Sequence, residues 1–463
     1  MNYISARGGI APVPFGNAVL TGIADNGGLF LPDSIPDATG RLAEWRSLPY
    51  ADLACEIIGL YADTPAVALR GIVERSYSTF RDPDITRVVS VGPVFVLELF
   101  HGPTLAFKDL AMQFLGNLFE HLLGKSGASL NILAATSGDT GSAAIHGLRG
   151  RDGVRVFVLH PRGRISKTQE RQMTTVLDDN VFNAAVEGTF DDCQRMVKEL
   201  FSDTPFKRAH ALGAVNSINW ARVLAQIVYY FYAAFRVMDC TDAPAVRFAV
   251  PTGNFGNILA GYLAARMGLP IDRLVLATND NDVLARFFAD GAYRPAPVVS
   301  TPSPSMDIQV AGNFERYLYY RFGEDPAAVS RFMDEMARNG TASVAPLPDG
   351  RMDDLIAAGS ADSDATLAIM REYHKRYRYL ADPHTAVGLA VATRHMDEAI
   401  PMICLATAHP AKFGETIRQA LGDDAAARHP IIDRLGSLAA RCDVLPASVA
   451  ALREYVAARV AEA

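Results

Sequence analysis

From Gly92 onward, short and mainly apolar runs alternate with amphipathic stretches of helical period, and few architectures accept that pattern. The runs at 94–99, 132–135, 154–159, 246–250, 274–277 and 402–406 carry no sustained polar–apolar alternation. Strands have this texture when helices cover both faces of a parallel sheet. Between them, the segments 109–123, 191–201, 220–235 and 257–266 have the period expected of helices. Strand–helix alternation of this kind predicts an α/β fold with two mainly parallel-sheet units.

The same texture suggests domain boundaries. Residues 1–92 mix turns with helix, notably near 51–61, and read as an N-terminal region preceding a first α/β unit at 93–240. A second α/β unit spans 241–421. It is interrupted at about 295–380 by an inserted helical segment or lid, which opens with Pro295-Ala296-Pro297 and Thr301-Pro302-Ser303-Pro304. An Ala-rich helical tail is expected at 422–463. A chain of 463 residues buries a core without metal or disulfide staples. Its net charge of −7, with no basic block, argues against nucleic acid or an anionic membrane as partner. Cys55, Cys193, Cys240, Cys404 and Cys442 are scattered and read as buried small apolar residues in a reducing compartment. No apolar run reaches the ~18 to 20 residues of a membrane span. The first residues also lack the order of a signal peptide, so a cytoplasmic location is expected.

Three glycine-containing turns each follow an apolar run and open a helix. They are at 98–104, 134–142 and 251–257. Unpaired N–H groups and the dipole at a helix start favour an anion there, although any one such glycine could serve only to turn the chain. No GxGxxG is present, and Gly124-Lys125-Ser126 has Phe119 where a P-loop needs glycine, so nucleotide binding is disfavoured. Only seven of the 44 basic residues are lysines. One of these, Lys108, stands in an apolar segment at a strand-to-helix junction. Burial there would yield the neutral amine that Schiff-base chemistry needs; alternatively, its stem packs while its head reaches water beside Asp109. His101, His384 and His409 lack metal-ligand spacing and read as structural, so no metal is expected.

The ordered motifs HGPTLAFKD (101–109), SGDTGSAA (137–144), NSINWARVLAQ (216–226), PTGNFGN (251–257) and LATAHPAKF (405–413) resemble the threonine synthase family. The likeness is to its long bacterial and fungal form, within the tryptophan-synthase-β-like fold of pyridoxal-phosphate (PLP) enzymes. The start, NAVLTGIADNGGLFLP (17–32), is similar too, and the likeness runs from about residue 3 to 420. That resemblance implies Lys108 as the residue bonded to PLP. It implies Gly253, Asn254, Phe255, Gly256 and Asn257 as the cofactor-phosphate cradle, and Thr407 beside the pyridine nitrogen. Thr136, Ser137, Gly138 and Thr140 would meet the substrate. Asp139 would face the cofactor's phenolic edge, where a carboxylate is repelled unless it is turned away or the protonation pattern differs. Asn216, Ser217 and Arg222 would grip the phosphate of O-phospho-L-homoserine, with Arg164 and Lys167 as further candidates. The implied activity releases threonine and phosphate. Alternatives are a threonine dehydratase or β-replacement enzyme of the same fold, or a non-catalytic paralogue, and the oligomeric state is left open.

Overall fold

The computed structural model describes residues 1–136 and 138–461. Every predicted apolar run forms a strand, and the strands sort into two sheets. The larger has the order Ile356–Ser360, Ile271–Thr278, Val246–Pro251, Met402–Ala406, Val94–Glu98, Arg87–Val91, with every neighbour parallel except the last pair. The smaller is parallel throughout, in the order Asp443–Pro446, Val181–Glu187, Val154–Pro161, Leu130–Ala135, Leu212–Gly213. Helices cover the strands, which explains why polar alternation is absent from them.

Strand pairing corrects the domain boundaries drawn from sequence. Val94–Glu98 begins the 93–240 segment, yet it hydrogen-bonds into the larger sheet between Met402–Ala406 and Arg87–Val91. The 422–463 tail is helical at Val449–Ala461 but also adds the edge strand Asp443–Pro446 to the smaller sheet. Within 295–380, Ile356–Ser360 is an edge strand of the larger sheet, so the segment is not inserted as a whole. Among the cysteines only Cys193 and Cys404 are buried; Cys240 is exposed and Cys55 and Cys442 are half-buried.

The helix Trp220–Thr241 is apolar around nearly its whole circumference and is buried along most of its length, as such a pattern requires. Packed against it are the helices Tyr50–Tyr61, Lys108–Ser126 and Gly256–Arg266. The N-terminal region is therefore part of the core, and a 2.7 Å pair from Arg7 to buried Glu315 ties it to the Phe314–Arg321 helix. The helices Lys108–Ser126 and Asp139–Leu148 touch backbone to backbone. A Cβ on Gly116 would lie 1.9 Å from the Gly147 carbonyl oxygen, and one on Gly147 would lie 2.4 Å from that of Met112. Only glycine permits this approach, and it sets the first residues of both helices, Lys108 and Asp139, side by side. Among the described residues, no helix is long and apolar enough to cross a membrane.

Candidate active site

Strands of both sheets run parallel toward one cavity, and ligands of open α/β sheets sit at such carboxyl ends. Three helices also begin there, with Lys108, Asp139 and Gly256 as their first residues. Their positive dipole ends favour anions and disfavour an ammonium in the same space.

Lys108 is buried, and its Nζ donates to Ser305 Oγ at 3.3 Å, with Asp139 Oδ2 3.7 Å away. Burial pushes its ammonium below the ordinary range, against the pull of Asp139 and with help from Lys412 and Arg222. The alternative of a packed stem with its head in water beside Asp109 is ruled out. Asp109 instead accepts from the Thr104 N–H and hydroxyl, closing the turn that leads into the helix. That turn holds Leu105 at φ +62°, a strained conformation for a branched side chain, directly before the reactive segment.

Asp139 is not turned away. Burial by itself would raise its carboxyl, but Lys412 and Lys108 together hold it well below the usual carboxylate range. Lys412 has a fully buried side chain; its Nζ lies 2.9 Å from Asp139 Oδ1 and donates to the Thr104 carbonyl at 2.7 Å. Gln169 Nε2 donates to the same Asp139 oxygen at 3.0 Å. Lys412 thus gives the Asp139 carboxylate a buried charge partner that neither possibility read from the sequence included.

The cradle at 251–257 lines the cavity throughout. Phe255 adopts φ +62°, which aims the turn so that the helix opens toward the cavity with its first N–H groups lacking helical acceptors. A Cβ on Gly253 would meet the Ser305 carbonyl oxygen and Ile308 Cδ1 at 3.0 Å, leaving no room for a side chain. Asn257 Oδ1 accepts from Tyr229 at 2.6 Å and Tyr230 at 3.0 Å, which directs its amide nitrogen elsewhere. Three buried polar atoms of this lining lack partners: Asn257 Nδ2, Arg222 Nε and Gln226 Oε1. Buried polar groups are rarely left unsatisfied, so the two donors, Asn257 Nδ2 and Arg222 Nε, call for acceptors on a ligand and Gln226 Oε1 for a donor. A buried amine whose charged form burial disfavours, beside such donors and a helix start, fits an aldehyde that bears a phosphate, which is what PLP is.

Arg222 is 3% exposed, and its only side-chain hydrogen bond among the described residues runs from Nη1 to the Val215 carbonyl at 3.1 Å. Burial alone lowers its guanidinium to about 10, and no carboxylate among the described residues compensates it. Ser217, Thr140 and Thr407 also line the cavity. Thr136 does not line it: its hydroxyl accepts from the Gly138 and Gly141 N–H groups and shapes the turn. Gly138, at φ +149°, packs against Gln169. Ser137 lies outside the described residues. Asn216, Arg164 and Lys167 are exposed and are not among the residues that line the cavity, although Asn216 directly precedes Ser217, which is.

Several site residues escaped sequence reasoning. Ser305 and Met306 enter the cavity from the Pro-rich segment that reads as a lid. His384, read as structural, lines the cavity. Its Nε2 accepts from the Ser305 N–H at 3.2 Å, and its Nδ1 lies 2.8 Å from Asp382. Lys412 sits in a motif already singled out for Thr407, and its scarcity as a lysine was the available signal. Among the described residues no acidic, histidine and cysteine cluster suits a metal.

Comparison with known proteins agrees with this geometry. Residues 81–346 match the family described as "Pyridoxal-phosphate dependent enzyme", residues 2–77 "Threonine synthase N terminus" and residues 385–456 "Threonine synthase, C-terminal". A protein named threonine synthase from Schizosaccharomyces pombe is 46% identical, over 91% of this chain and 89% of its own length. One from Pseudomonas aeruginosa is 43% identical over 98% of both chains. A crystal structure of PLP-bound threonine synthase from Brucella melitensis superposes with a TM-score of 0.95 at 42% identity, covering 99% of both chains. The chain belongs to the threonine synthase family of pyridoxal-phosphate-dependent enzymes.

Proposed function

We propose that the chain converts O-phospho-L-homoserine and water into L-threonine and phosphate. The observation that carries this reading is Arg222, a buried guanidinium without a carboxylate partner, in the cavity that also holds the 251–257 turn and Lys108. One cavity thus presents two anion sites, as a phosphorylated substrate beside a phosphorylated cofactor requires. Enzymes of the same fold acting on unphosphorylated serine or threonine have no use for the second.

PLP, when bound, supplies the electron-accepting ring that makes protons on the substrate's Cα and Cβ acidic. The amides of Gly253–Asn257 and Asn257 Nδ2 would hold its phosphate, and the Thr407 hydroxyl would face its ring nitrogen without keeping that nitrogen charged. Lys108 Nζ, whose charged form burial disfavours, is the base that takes the Cα proton and carries protons between Cα, Cβ and Cγ. Ser305 Oγ, at 3.3 Å, orients that nitrogen between transfers. Arg222 and Ser217 hold the phosphate that leaves Cγ as the Cγ–O bond breaks, and water supplies the hydroxyl that ends on Cβ. Asp139 and Lys412 balance each other's charge beside the reacting atoms.

The reading is tested by following phosphate and threonine production from O-phosphohomoserine, with and without added PLP. Both products are expected in equal amounts and only with cofactor. Ammonia and a keto acid from serine or threonine, with no phosphate release, would replace this reading by a dehydratase. The Arg222→Met variant should keep the bound cofactor's spectrum while kcat/KM falls about 10- to 100-fold, the equivalent of one lost charged hydrogen-bond pair. Steady-state kinetics beside an absorption spectrum checks both halves.

A further inference from the structure

A second cavity, of about 410 Å³, lies against the outer side of the loop that leads to Lys108, and it shares no lining residue with the first. Its polar lining is unbalanced toward donors. His409 Nδ1 accepts the Ala411 N–H at 3.1 Å, and His429 Nδ1 accepts the Ile431 N–H at 3.1 Å. A neutral imidazole whose Nδ1 accepts carries its proton on Nε2, so both rings, with centroids 4.9 Å apart, are N–H donors at Nε2. Arg81 uses one guanidinium nitrogen on the Gly102 carbonyl at 2.7 Å and has the rest of its fork to spare. Arg428 adds a second guanidinium, with its Nε bonded to Asp433 at 3.1 Å. The lining contains one carboxylate, Glu98, and His101 Nε2 already occupies it at 3.1 Å. Burial first lowers His409 to about 4 and lowers His429 as well; the neighbouring imidazoles and Arg81 add to this, while Asp382 and Asp433 pull the other way.

The cleft and the catalytic cavity have walls built from the same two loops. Leu105 and His409 face the cleft, whereas Phe107, Lys108, Thr407 and Ala408 face the catalytic cavity. Hydrogen bonds clip these loops together: His409 N–H to the Leu105 carbonyl at 3.0 Å, and Phe107 N–H to that of Thr407 at 2.8 Å. We propose that this cleft binds a small anion bearing a carboxylate or phosphate group, and that its occupancy adjusts the catalytic cavity through the 99–107 and 407–413 loops. The anion would lie between the two Nε2–H groups and the Arg81 fork, a geometry suited to two oxygens of one group.

Holoenzyme with 13C-labelled histidine, in the Arg222→Met background to silence the catalytic anion site, is titrated separately with inorganic phosphate, succinate and sodium chloride. Saturable shifts of the His409 and His429 ring signals with phosphate or with succinate, and not with chloride at matched ionic strength, are expected, and the effective probe identifies the source. Arg81→Ala should weaken that binding at least tenfold. In the enzyme with Arg222 intact, the effective anion should change KM for O-phosphohomoserine at least twofold, and Arg81→Ala should abolish the change. Rings that do not respond, or that respond equally to chloride, overturn the site. Saturable binding with unchanged kinetics overturns the coupling. The titration of the Arg81-intact protein decides the first point even if Arg81→Ala does not fold.

Discussion

Lys108→Ala is expected to lose the visible absorption of bound PLP and to lower threonine formation by roughly a thousandfold or more, the scale of a missing acid–base group that also secures the cofactor. The fold should survive, because the lost amine makes only a 3.3 Å bond to Ser305 and a 3.7 Å approach to Asp139. No other lysine can take over. The nearest, Lys412, is committed to Asp139 and to the Thr104 carbonyl, and the other five stand outside the cavity lining. A spectrum and an activity assay on the purified variant, beside its melting curve, check the separation between chemistry and stability.

Lys412→Met should damage both. It strips Asp139 of its main compensating charge at a buried position, and breaking such a pair costs about 3–5 kcal/mol. Lys108 is then left as the sole cation beside Asp139. Burial still lowers its pKa, but one repelling charge has gone while the attracting carboxylate stays, so Lys108 titrates at higher pH than before. The acid limb of the pH profile of kcat, which reports ionisations with substrate bound and the lysine freed, is therefore expected to move to higher pH, a change that simple loosening of the fold would not produce. The stability effect has the opposite trend with acid. Asp139 is held below its unfolded value, so its contribution is present above about pH 4 and fades as falling pH titrates the folded protein. The difference in stability between parent and variant should accordingly narrow in acid. Pairing Lys412→Met with Asp139→Asn removes both charges, and stability should recover in the double variant relative to the single one. Urea unfolding of the three proteins at pH 7 and at about pH 3, beside their pH–rate profiles, measures all of this.

The parts of the molecule legible in its sequence are those set by local pattern. Runs such as 402–406 and 246–250 must be central strands because no face of them is polar, and the glycine turns after them must open helices toward a common edge. What escaped is set by pairing at long range. Lys412 and Asp139 are far apart in sequence and meet only because the Gly116–Gly147 contact and the 407–413 loop bring their backbones to one place. Ser305 lies in a Pro-rich stretch whose composition says loop and says nothing of where the loop goes. Edge strands such as Asp443–Pro446 and Ile356–Ser360 are short and partly exposed, so they lack the apolar signature of the central strands. Arg164 and Lys167 were attractive for charge alone, and charge in an exposed turn does not determine what it faces.

The central claim is that Lys108 is the amine joined to the cofactor, and it can be read directly. Holoenzyme reduced with borohydride and digested should carry the phosphopyridoxyl mass on the peptide containing Lys108 and on none of the peptides holding the other six lysines. The same mass on the Lys412 peptide, or an unlabelled Lys108 peptide from fully reduced holoenzyme, would contradict it.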